Sequence, residues 1–263
     1  MKNLFTNRTF PLPGKKRGKY LLFSFLSVVI LLIVWKIAAW YYANPFIVPS
    51  PVLTLRQTVE TFLSEEFLSA IGATLLRGLV GFFIAFCLAV MIGIGAGISL
   101  GFDAFTRPFL VIIRSTPVIS FILLALIWFK PENVPVFIGI LTMFPILCFN
   151  IIDGIRSTNN ELLEMAKVYG ISKWTIIKDI HVPSLMPYLF TGLSNAAGFG
   201  WRAVIIGEVL SQPLYGVGTQ MQLAQTYLKI PEVIAWTIVA VFTGYVFEML
   251  IRILEKRIIF WHG

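Results

Sequence analysis

The sequence predicts an all-α polytopic membrane protein with six transmembrane helices. Of its 263 residues, 57% are hydrophobic and 13% are charged, whereas soluble domains carry about 25% charged residues. The mean hydropathy is +0.84. A hydrocarbon core about 30 Å thick needs roughly 20 apolar residues in a helix. The stretches of that length are 21–42, 73–100, 108–129, 134–152, 185–207 and 232–254.

The first apolar stretch follows a basic tail, residues 1–20. Its apolar run is too long for a signal peptide and no small-residue cleavage site follows it, so we predict a retained anchor. Cytoplasmic loops are enriched in Lys and Arg. With the N-terminus inside, 14 of the 21 basic residues fall in inner segments and only Arg56, Lys130 and Lys229 in outer ones. Both termini and the segment 157–183 are therefore predicted to be cytoplasmic, with residues 21–263 forming one transmembrane domain.

The sequence offers no constellation for catalysis, metal binding or nucleotide binding. Cys87 and Cys148 lie singly in apolar stretches, and His181 and His262 lack partners at metal-ligand spacing. No Gly-x4-Gly-Lys-Ser/Thr phosphate loop occurs. The net charge of +8 is spread over loops instead of one face, which indicates membrane topology and not nucleic acid. We predict that the chain is not an enzyme and binds no cofactor or metal itself.

Small residues recur at four-residue spacing in two of the predicted spans. This pattern allows helices to approach closely. Gly93 and Gly97 in span two, with Gly101 just after it, are expected to pack spans together. Gly192, Ala196 and Gly200 give span five one thin face, and span five is the best candidate for lining the translocation path.

Segment 157–183, between spans four and five, is predicted to form a helix-turn-helix, here called the knob. Thr158 and Glu161 form a capping-box pattern that opens a helix, and Gly170 is placed to end it. Ser172 can start a second short helix, and Pro183 is expected to close the segment before span five. The exposed apolar stripe of the first helix is predicted to comprise Leu162, Met165, Ala166 and Tyr169.

Short helices are marginal alone in water, and an exposed stripe with Met and Tyr favours insertion into a partner's groove. An amphipathic loop lying on the lipid surface is the alternative. The segment also resembles the EAA loop of ABC importer permeases, because it reads Glu164-x-Ala166-x3-Gly170-x9-Ile180-x-Val182-Pro183. Met165 and Val182 replace the Ala and Leu of that pattern, and both remain apolar.

The resemblance implies a type I ABC importer permease with the MetI-like fold, whose cytoplasmic coupling helix lies between spans four and five. It implies docking on two separate ABC ATPase subunits, which use ATP and Mg²⁺. In that role Ala166 and Gly170 permit close approach, Met165 and Tyr169 fill pockets, and Glu164 pairs with a basic residue. Ile180 and Pro183 complete the motif.

Further stretches are similar to the nitrate, sulfonate and taurine type of permease. They are Thr74-Leu-Leu-Arg77-Gly-Leu-Val-Gly81, Arg114-Ser-Thr-Pro117, Gly192-Leu and Gly207-Glu208. The tract Lys130-Pro-Glu-Asn-Val-Pro135 departs from the family's glycine-containing turn and implies an outer loop of altered geometry.

Ionisable groups inside spans are costly and suggest function, so we predict a translocation pathway for a small anionic solute. Its residues are Arg114, Pro117, Gly200, Arg202 and Glu208. The alternative for Arg202 and Glu208 is an interhelical pair that holds a dimer. Glu248 and Arg252 are predicted to pair at i, i+4.

Outside the spans, residues 52–63 carry an apolar stripe typical of an interfacial helix on the outer surface. Thr219 and Gln222 form a second capping-box pattern, expected to open a short helix that shapes the outer mouth.

The resemblance also implies an external solute-binding protein, a bacterial inner-membrane location and a second permease copy, either a homodimer or a paired non-identical chain. Nitrate, sulfonates, taurine, bicarbonate and vitamin precursors all remain open as cargo. The competing function is an ion-gradient-driven secondary transporter that uses Glu208 or Glu248 as proton-linked groups.

Overall fold

A computed structural model describes the backbone of residues 14–258 and the side chains of residues 21–257. This part of the chain contains helices and no strands. The helices are α1 (Gly14–Tyr42), α2 (Pro51–Phe62), α3 (Glu66–Ile98), α4 (Leu100–Ser115), α5 (Val118–Trp128), α6 (Val134–Arg156), α7 (Asn160–Val168), α8 (Lys173–Ile176), α9 (Val182–Ser211), α10 (Val217–Thr226) and α11 (Ile230–Ile258), and a π-helical turn (Ile177–His181) precedes α9. Most of the predicted tail 1–20, and His262, lie outside the described residues.

Helices α3, α6 and α9 form the centre of the bundle. The buried face of α3 consists of small residues, namely Ala70, Thr74, Gly78, Gly81, Ala85, Ala89, Gly93 and Ala96. A Cβ atom on Gly93 would lie 2.9 Å from Ile151 Cγ2, and one on Gly97 would lie 2.7 Å from Ile155 Cδ1. These distances confirm the predicted close packing of span two. Gly101 does not share this packing face, because α3 ends at Ile98 and Gly101 lies in α4.

The small residues of α9 pack against α6. Ala196 is fully buried, a Cβ on Gly192 would lie 2.8 Å from Asn150 Cβ, and a Cβ on Gly200 would collide with Met143. The close helix approach predicted for this face of span five is therefore confirmed, and the helix that approaches it is α6. The contacts of Gly154 with Leu185 and of Gly207 with Pro135 show that α6 and α9 are antiparallel.

The central helices define two ends of the bundle. At the knob end α3 and α6 end and α9 begins. At the α10 end α3 and α6 begin and α9 ends. Helix α11 packs against α9, α10 and α2, and Trp201 Nε1 donates a hydrogen bond of 2.9 Å to the Ala240 carbonyl in α11.

The outer helices leave apolar surface uncovered. The buried residues of α2 are Thr54, Thr58 and Thr61, while its apolar stripe points away from the chain, as expected for a helix at a membrane interface. In the most apolar part of α1, within Leu21–Tyr42, 0% of the residues are buried by the rest of the chain. One link fixes the connection between α1 and α2, a 3.0 Å hydrogen bond from Trp35 Nε1 to the Pro49 carbonyl.

Four helices in the described part of the chain are long and apolar enough to cross a membrane: Leu21–Tyr42, Glu66–Ile98, Val134–Arg156 and Ile230–Arg257. Helices α4 and α5 bend by 95° at their junction and raise the number to five if they form one broken span. The predicted span 108–129 is interrupted at Thr116 and Pro117, where a proline kink is expected from the sequence, since proline disfavours helix geometry in the residue before it. Helix α9 covers predicted span five. It is not among these four helices, and Asn195 and Arg202 lower its hydropathy.

Candidate functional site

The knob forms two short helices, but its caps differ in part from the prediction. The N-cap of α7 is Asn159, whose side chain accepts a 2.8 Å hydrogen bond from the Glu161 N–H. The predicted capping residue, Thr158, instead donates to the Ile155 carbonyl at 2.8 Å. Asn and Thr are both effective caps, so the sequence alone could not decide which of the two adjacent residues caps α7.

Gly170 ends α7 with the left-handed backbone that the sequence predicts. Its φ is +64°, the Gly170 N–H donates to the Lys167 carbonyl at 3.1 Å, and the Ile171 N–H donates to the Ala166 carbonyl at 2.9 Å. These two bonds make a Schellman motif. The side chain of Ser172 then caps α8 by accepting a 3.2 Å bond from the Thr175 N–H, which confirms Ser172 as the start of the second helix.

The exposed surface of the knob is apolar and aromatic. Tyr169 is 77% exposed, Trp174 73% and Met165 49%, and Glu164 also faces outward. Ala166 is an exception to the predicted stripe, because it is 0% exposed and packs inward. The stripe prediction missed Val168, because it followed only one face of α7, and Trp174, because it did not extend to α8.

A hydrogen bond and an ion pair hold the base of the knob. Thr158 Oγ1 lies 3.1 Å from His181 Nδ1, which joins the two ends of the segment. Arg156 Nη1 forms a 2.9 Å ion pair with Asp103 in α4, and Arg156 Nη2 donates to the Ala96 carbonyl in α3 at 2.9 Å. Asp103 is nearly buried and also faces Arg107 at 3.6 Å, a distance too long for a hydrogen bond.

The knob continues into α9 without a break. The π-helical turn follows α8 directly, and Pro183 lies in the first turn of α9. The expectation that Pro183 closes the segment is therefore wrong. Proline lacks an N–H and so removes one backbone hydrogen bond from a continuous helix, and the π-helical turn Ile177–His181 lies immediately before α9. Ile180 and Pro183 are both half-buried at this joint.

A groove of about 370 Å³ opens between the α4–α5 junction, α6 and α9. Its wall is mainly apolar and includes Arg114, Asn150 and Asn195. The Arg114 guanidinium lies 5.8 Å from the centre of the Phe149 ring and forms no ion pair with the described residues. Pro117 is exposed beside this groove. The asparagines were missed because single amides inside apolar stretches carry no periodic signal.

Arg202 faces a second groove, of about 590 Å³, between α9, α10 and α11. Its guanidinium lies 5.3 Å from the centre of the Phe199 ring. Glu248 lines the same groove and forms a 2.6 Å ion pair with Arg252, as its i, i+4 spacing predicts. Arg114 and Arg202 therefore lie in different grooves.

Glu208 and Gly200, both predicted to line a pathway, have no free surface to do so. Gly200 is covered by Met143. Glu208 is 0% exposed and forms a 2.7 Å ion pair with Arg77 Nη1. Its carboxylate also accepts from the Gly218 N–H at 3.0 Å and from the Thr74 hydroxyl at 2.9 Å. We call Thr74, Arg77, Glu208 and Gly218 the Glu208 node.

The capping-box prediction at Thr219 is wrong. Helix α10 begins at Val217 with Gly216 as its N-cap, so Thr219 lies inside the helix and donates to the Pro213 carbonyl at 3.1 Å. The start of the helix was predicted too late because its capping groups, Thr74 in α3 and Glu208 in α9, come from other helices and form no local capping pattern.

The remaining candidate groups do not assemble into a chemical site. Cys87 is exposed and Cys148 is buried, and His181 belongs to the base of the knob. Within the described residues, no three His, Cys, Asp or Glu side chains are grouped so that they could hold a metal ion.

The fold is one found in ABC transporters. A chain of a bacterial alginate ABC transporter, crystallised with an alginate pentasaccharide-bound periplasmic protein, matches 92% of this chain and 96% of its own length, with a TM-score of 0.60 and 16% identity. A chain of the MetNI methionine ABC transporter matches 75% of this chain and 98% of its own, with a TM-score of 0.58 and 14% identity.

The family is shown by sequence. The family model described as binding-protein-dependent transport system inner membrane component matches residues 89–260. The chain belongs to this family and is an ABC transporter permease, a multi-pass membrane protein.

Two curated relatives are similar over most of their length. The taurine transport system permease protein TauC of Escherichia coli (strain K12) is 24% identical, over 89% of this chain and 87% of TauC. The bicarbonate transport system permease protein CmpB of Synechococcus elongatus is 28% identical, over 75% of each chain.

Proposed function

We propose that this chain is the transmembrane permease subunit of an ATP-driven, binding-protein-dependent importer, and that its knob docks on a separate ATPase. The observation that carries the proposal is the exposed aromatic surface of the knob. Tyr169 and Trp174 project from a segment whose helices are capped by Asn159, Gly170 and Ser172 and which is joined directly to α9. Exposed apolar patches rimmed by polar residues mark interaction sites.

The membrane arrangement we propose has six spans. They are α1, α3, the broken α4–α5 pair, α6, α9 and α11. The distribution of basic residues supports a cytoplasmic knob and cytoplasmic termini. A docking surface for a soluble ATPase requires the same orientation.

The contacts at the base of the knob support a coupling role. Displacement of the knob is transmitted to α9 through Ile180 and Pro183. It is transmitted to the end of α6 through the bond between Thr158 and His181, and to α3 and α4 through Arg156. Met165 and Tyr169 supply docking side chains, Glu164 can pair with a basic residue, and Gly170 sets the turn that presents them. Ala166 contributes differently from the sequence prediction, because its small side chain lets α7 pack on the chain.

The groove beside Arg114 and Pro117 is our proposed half of the translocation pathway. Arg114 is a cation with no acidic partner among the described residues, and the nearby Asn150 and Asn195 supply amide donors. Such a set suits an oxyanion. The cargo names of TauC and CmpB, taurine and bicarbonate, agree with a small solute that carries an anionic group. A second permease copy would close the open side of the groove.

In the proposed cycle, an external binding protein delivers the solute to the face opposite the knob. Two ATPase subunits bind ATP and Mg²⁺ and close on each other, and the knobs of two permease copies follow them. The spans then change from outward to inward access. Hydrolysis takes place on the partners, because this chain has no phosphate loop.

Tyr169→Ala tests the docking surface, with Tyr227→Ala as its matched control. The two tyrosines are 77% and 67% exposed, and they lie at the knob end and the α10 end respectively. Loss of an aromatic anchor costs about 2 kcal/mol of binding. We expect Tyr169→Ala to weaken retention of the co-expressed ATPase about tenfold or more, and Tyr227→Ala to leave it unchanged. Equal retention by both variants would contradict the docking role of the knob.

Arg114→Gln tests the pathway, with Arg202→Gln as the control from the other groove. Uptake by the reconstituted complex should show a raised KM for the anionic solute in Arg114→Gln, because the charge that pairs with the solute is lost. An equal rise in Arg202→Gln, or no change in Arg114→Gln, would remove Arg114 from the pathway.

A further inference from the structure

We infer that Glu208 is a positioning residue for α10, and that the Glu208 node makes α10 move as one body with α3 and α9 during transport. The inference rests on the proposed function, because it concerns how motion that enters at the knob reaches the opposite face of the permease.

The N-terminus of α10 is capped by side chains from other helices. The first N–H groups of a helix have no intrahelical partner, and the N-cap residue here is Gly216, which has no side chain. The Val217 N–H donates to Thr74 Oγ1 in α3 at 2.9 Å, and the Gly218 N–H donates to Glu208 Oε2 in α9 at 3.0 Å. The start of α10 is thus fastened to two long helices.

Arg77 completes the fastening from α3. Its Nη1 donates to Glu208 Oε1 at 2.7 Å and to the Tyr215 carbonyl, just before α10, at 2.6 Å. One guanidinium group therefore joins α3, α9 and the loop into α10. A carboxylate at the start of α10 also faces the positive end of the helix dipole, so the node satisfies Glu208 from several directions.

Glycine is required at two positions where α10 meets α9, because a side chain there would collide with α9. A Cβ on Gly216 would lie 2.7 Å from Glu208 Cδ, and a Cβ on Gly218 would collide with the Ile205 carbonyl oxygen. The two glycines allow the backbone of α10 to approach α9 closely enough for the carboxylate to bond to it.

Helix α9 connects the knob with the node. It runs without interruption from Val182 to Ser211, and at 1.5 Å per residue Glu208 lies about 39 Å from Val182 along the axis. Val217 and Met221 of α10 share an apolar cluster with Trp236 of α11. Apolar contacts have no fixed direction, whereas the node imposes specific distances. Displacement of α9 by the knob is therefore passed to α10 through Glu208.

The test measures a distance from α10 to α3 in the permease–ATPase complex. Spin labels are placed at Leu223→Cys and Leu76→Cys, both exposed, in a Cys87→Ser background. With the wild-type node, we expect one narrow distance distribution that is the same without nucleotide and after vanadate trapping with ATP. In Glu208→Gln we expect the distribution to broaden or to shift between the two states, with uptake about tenfold lower, within the usual range for coupling between distant sites.

Thr74→Val and Thr74→Ser separate positioning from simple folding. Valine has the shape of threonine without its hydroxyl and leaves the Val217 N–H unsatisfied, whereas serine keeps the hydroxyl. We expect valine to reproduce the Glu208→Gln distances and serine to restore the wild-type ones. Unchanged distances in both Glu208→Gln and Thr74→Val would overturn the inference.

The outcome is distinguishable from failure of the proposed function. The knob is intact in these variants, so the ATPase should remain bound while uptake falls. If no ATPase binds to the wild-type chain, the proposed function fails, and the same labels in the isolated permease still report whether the node fixes α10 to α3.

Discussion

The knob and the Glu208 node lie at opposite ends of α9 and differ in how their side chains are satisfied. At the node, a fully buried carboxylate has an ion pair and hydrogen bonds from within the chain. At the knob, the polar groups cap the helices and hold the base, while Tyr169 and Trp174 are exposed. The node is thus satisfied within the chain, whereas no described residue covers the aromatic side chains of the knob.

This difference shows where the chain is complete and where it needs another protein. Buried polar groups are costly unless they are paired, so the node is expected to govern the stability of the permease. Exposed aromatic side chains cost little in the isolated chain and gain most on binding. Changes at the knob should therefore affect assembly more than folding.

Arg77→Ala is expected to give the largest loss of stability. It leaves the buried Glu208 carboxylate without its cation, which costs about 3 to 5 kcal/mol. Denaturant titration of the purified chain in micelles should show this loss. Arg202→Ala is the control, because Arg202 is exposed to a groove and forms no ion pair among residues 21–257. Similar losses in both variants would show that the node does not have the stabilising role described above.

Gly200→Ala tests the stretch of α9 between the two ends. Its new methyl group would collide with Met143, and overpacking of this kind costs about 1 to 3 kcal/mol. Gly72→Ala is the matched control, since a Cβ there meets nothing within 4 Å and replacing a helical glycine stabilises by about 0.5 to 1 kcal/mol. Thermal unfolding should move in opposite directions for the two variants. A change of the same sign in both would contradict the close α6–α9 contact.

Gly170→Ala should have a smaller and local effect at the knob. A left-handed backbone costs a residue with a Cβ about 1 to 2 kcal/mol, and Gly170 has a φ of +64°. We expect faster hydrogen exchange of the Ile171 amide, which closes the turn, without a matching loss of global stability. Gly170→Asn should retain more protection than alanine, because asparagine tolerates this conformation. Equal exchange in alanine and glycine forms would mean that the turn does not depend on glycine.

Thr158→Val removes the hydrogen bond between the two ends of the knob and is expected to give the smallest effect. A net hydrogen bond contributes about 0.5 to 1.5 kcal/mol. The loss should appear as increased protease cleavage within the knob, while the unfolding midpoint of the spans is nearly unchanged. Thr175→Val serves as the control, since Thr175 is exposed and its hydroxyl bonds only to Ser172, three residues earlier, and does not join the two ends of the knob. Cleavage that rises equally in the control would show that the bond to His181 is not specific.

The sequence was sufficient for features that depend on local chemistry. Gly170 and Ser172 could be placed because turns and caps have short signatures. The seam at Gly93 and Gly97 followed from four-residue spacing. The predicted cap at Thr158 was wrong because Asn159 competes with it. The predicted start of α10 was wrong because its caps, Thr74 and Glu208, belong to other helices.

Long-range contacts could not be predicted in the same way. Thr74 and Arg77 were identified in one stretch and Glu208 in another, but no sequence pattern shows that they meet. Glu208 was expected in a pathway because a charge in a span suggests function, and its burial shows that the same charge can be structural. Arg114 and Arg202 also looked equivalent in sequence, whereas they face different grooves.

Site-specific photo-crosslinking from the knob tests whether the knob docks on the ATPase. A photoreactive amino acid replaces Tyr169 in one variant and Tyr227 in another, and each is illuminated in membranes that contain the co-expressed ATPase. The account predicts a covalent product with the ATPase from position 169 and none from position 227. Crosslinks from position 169 to lipid alone, with no ATPase product, would contradict the account and favour a knob that lies on the membrane surface.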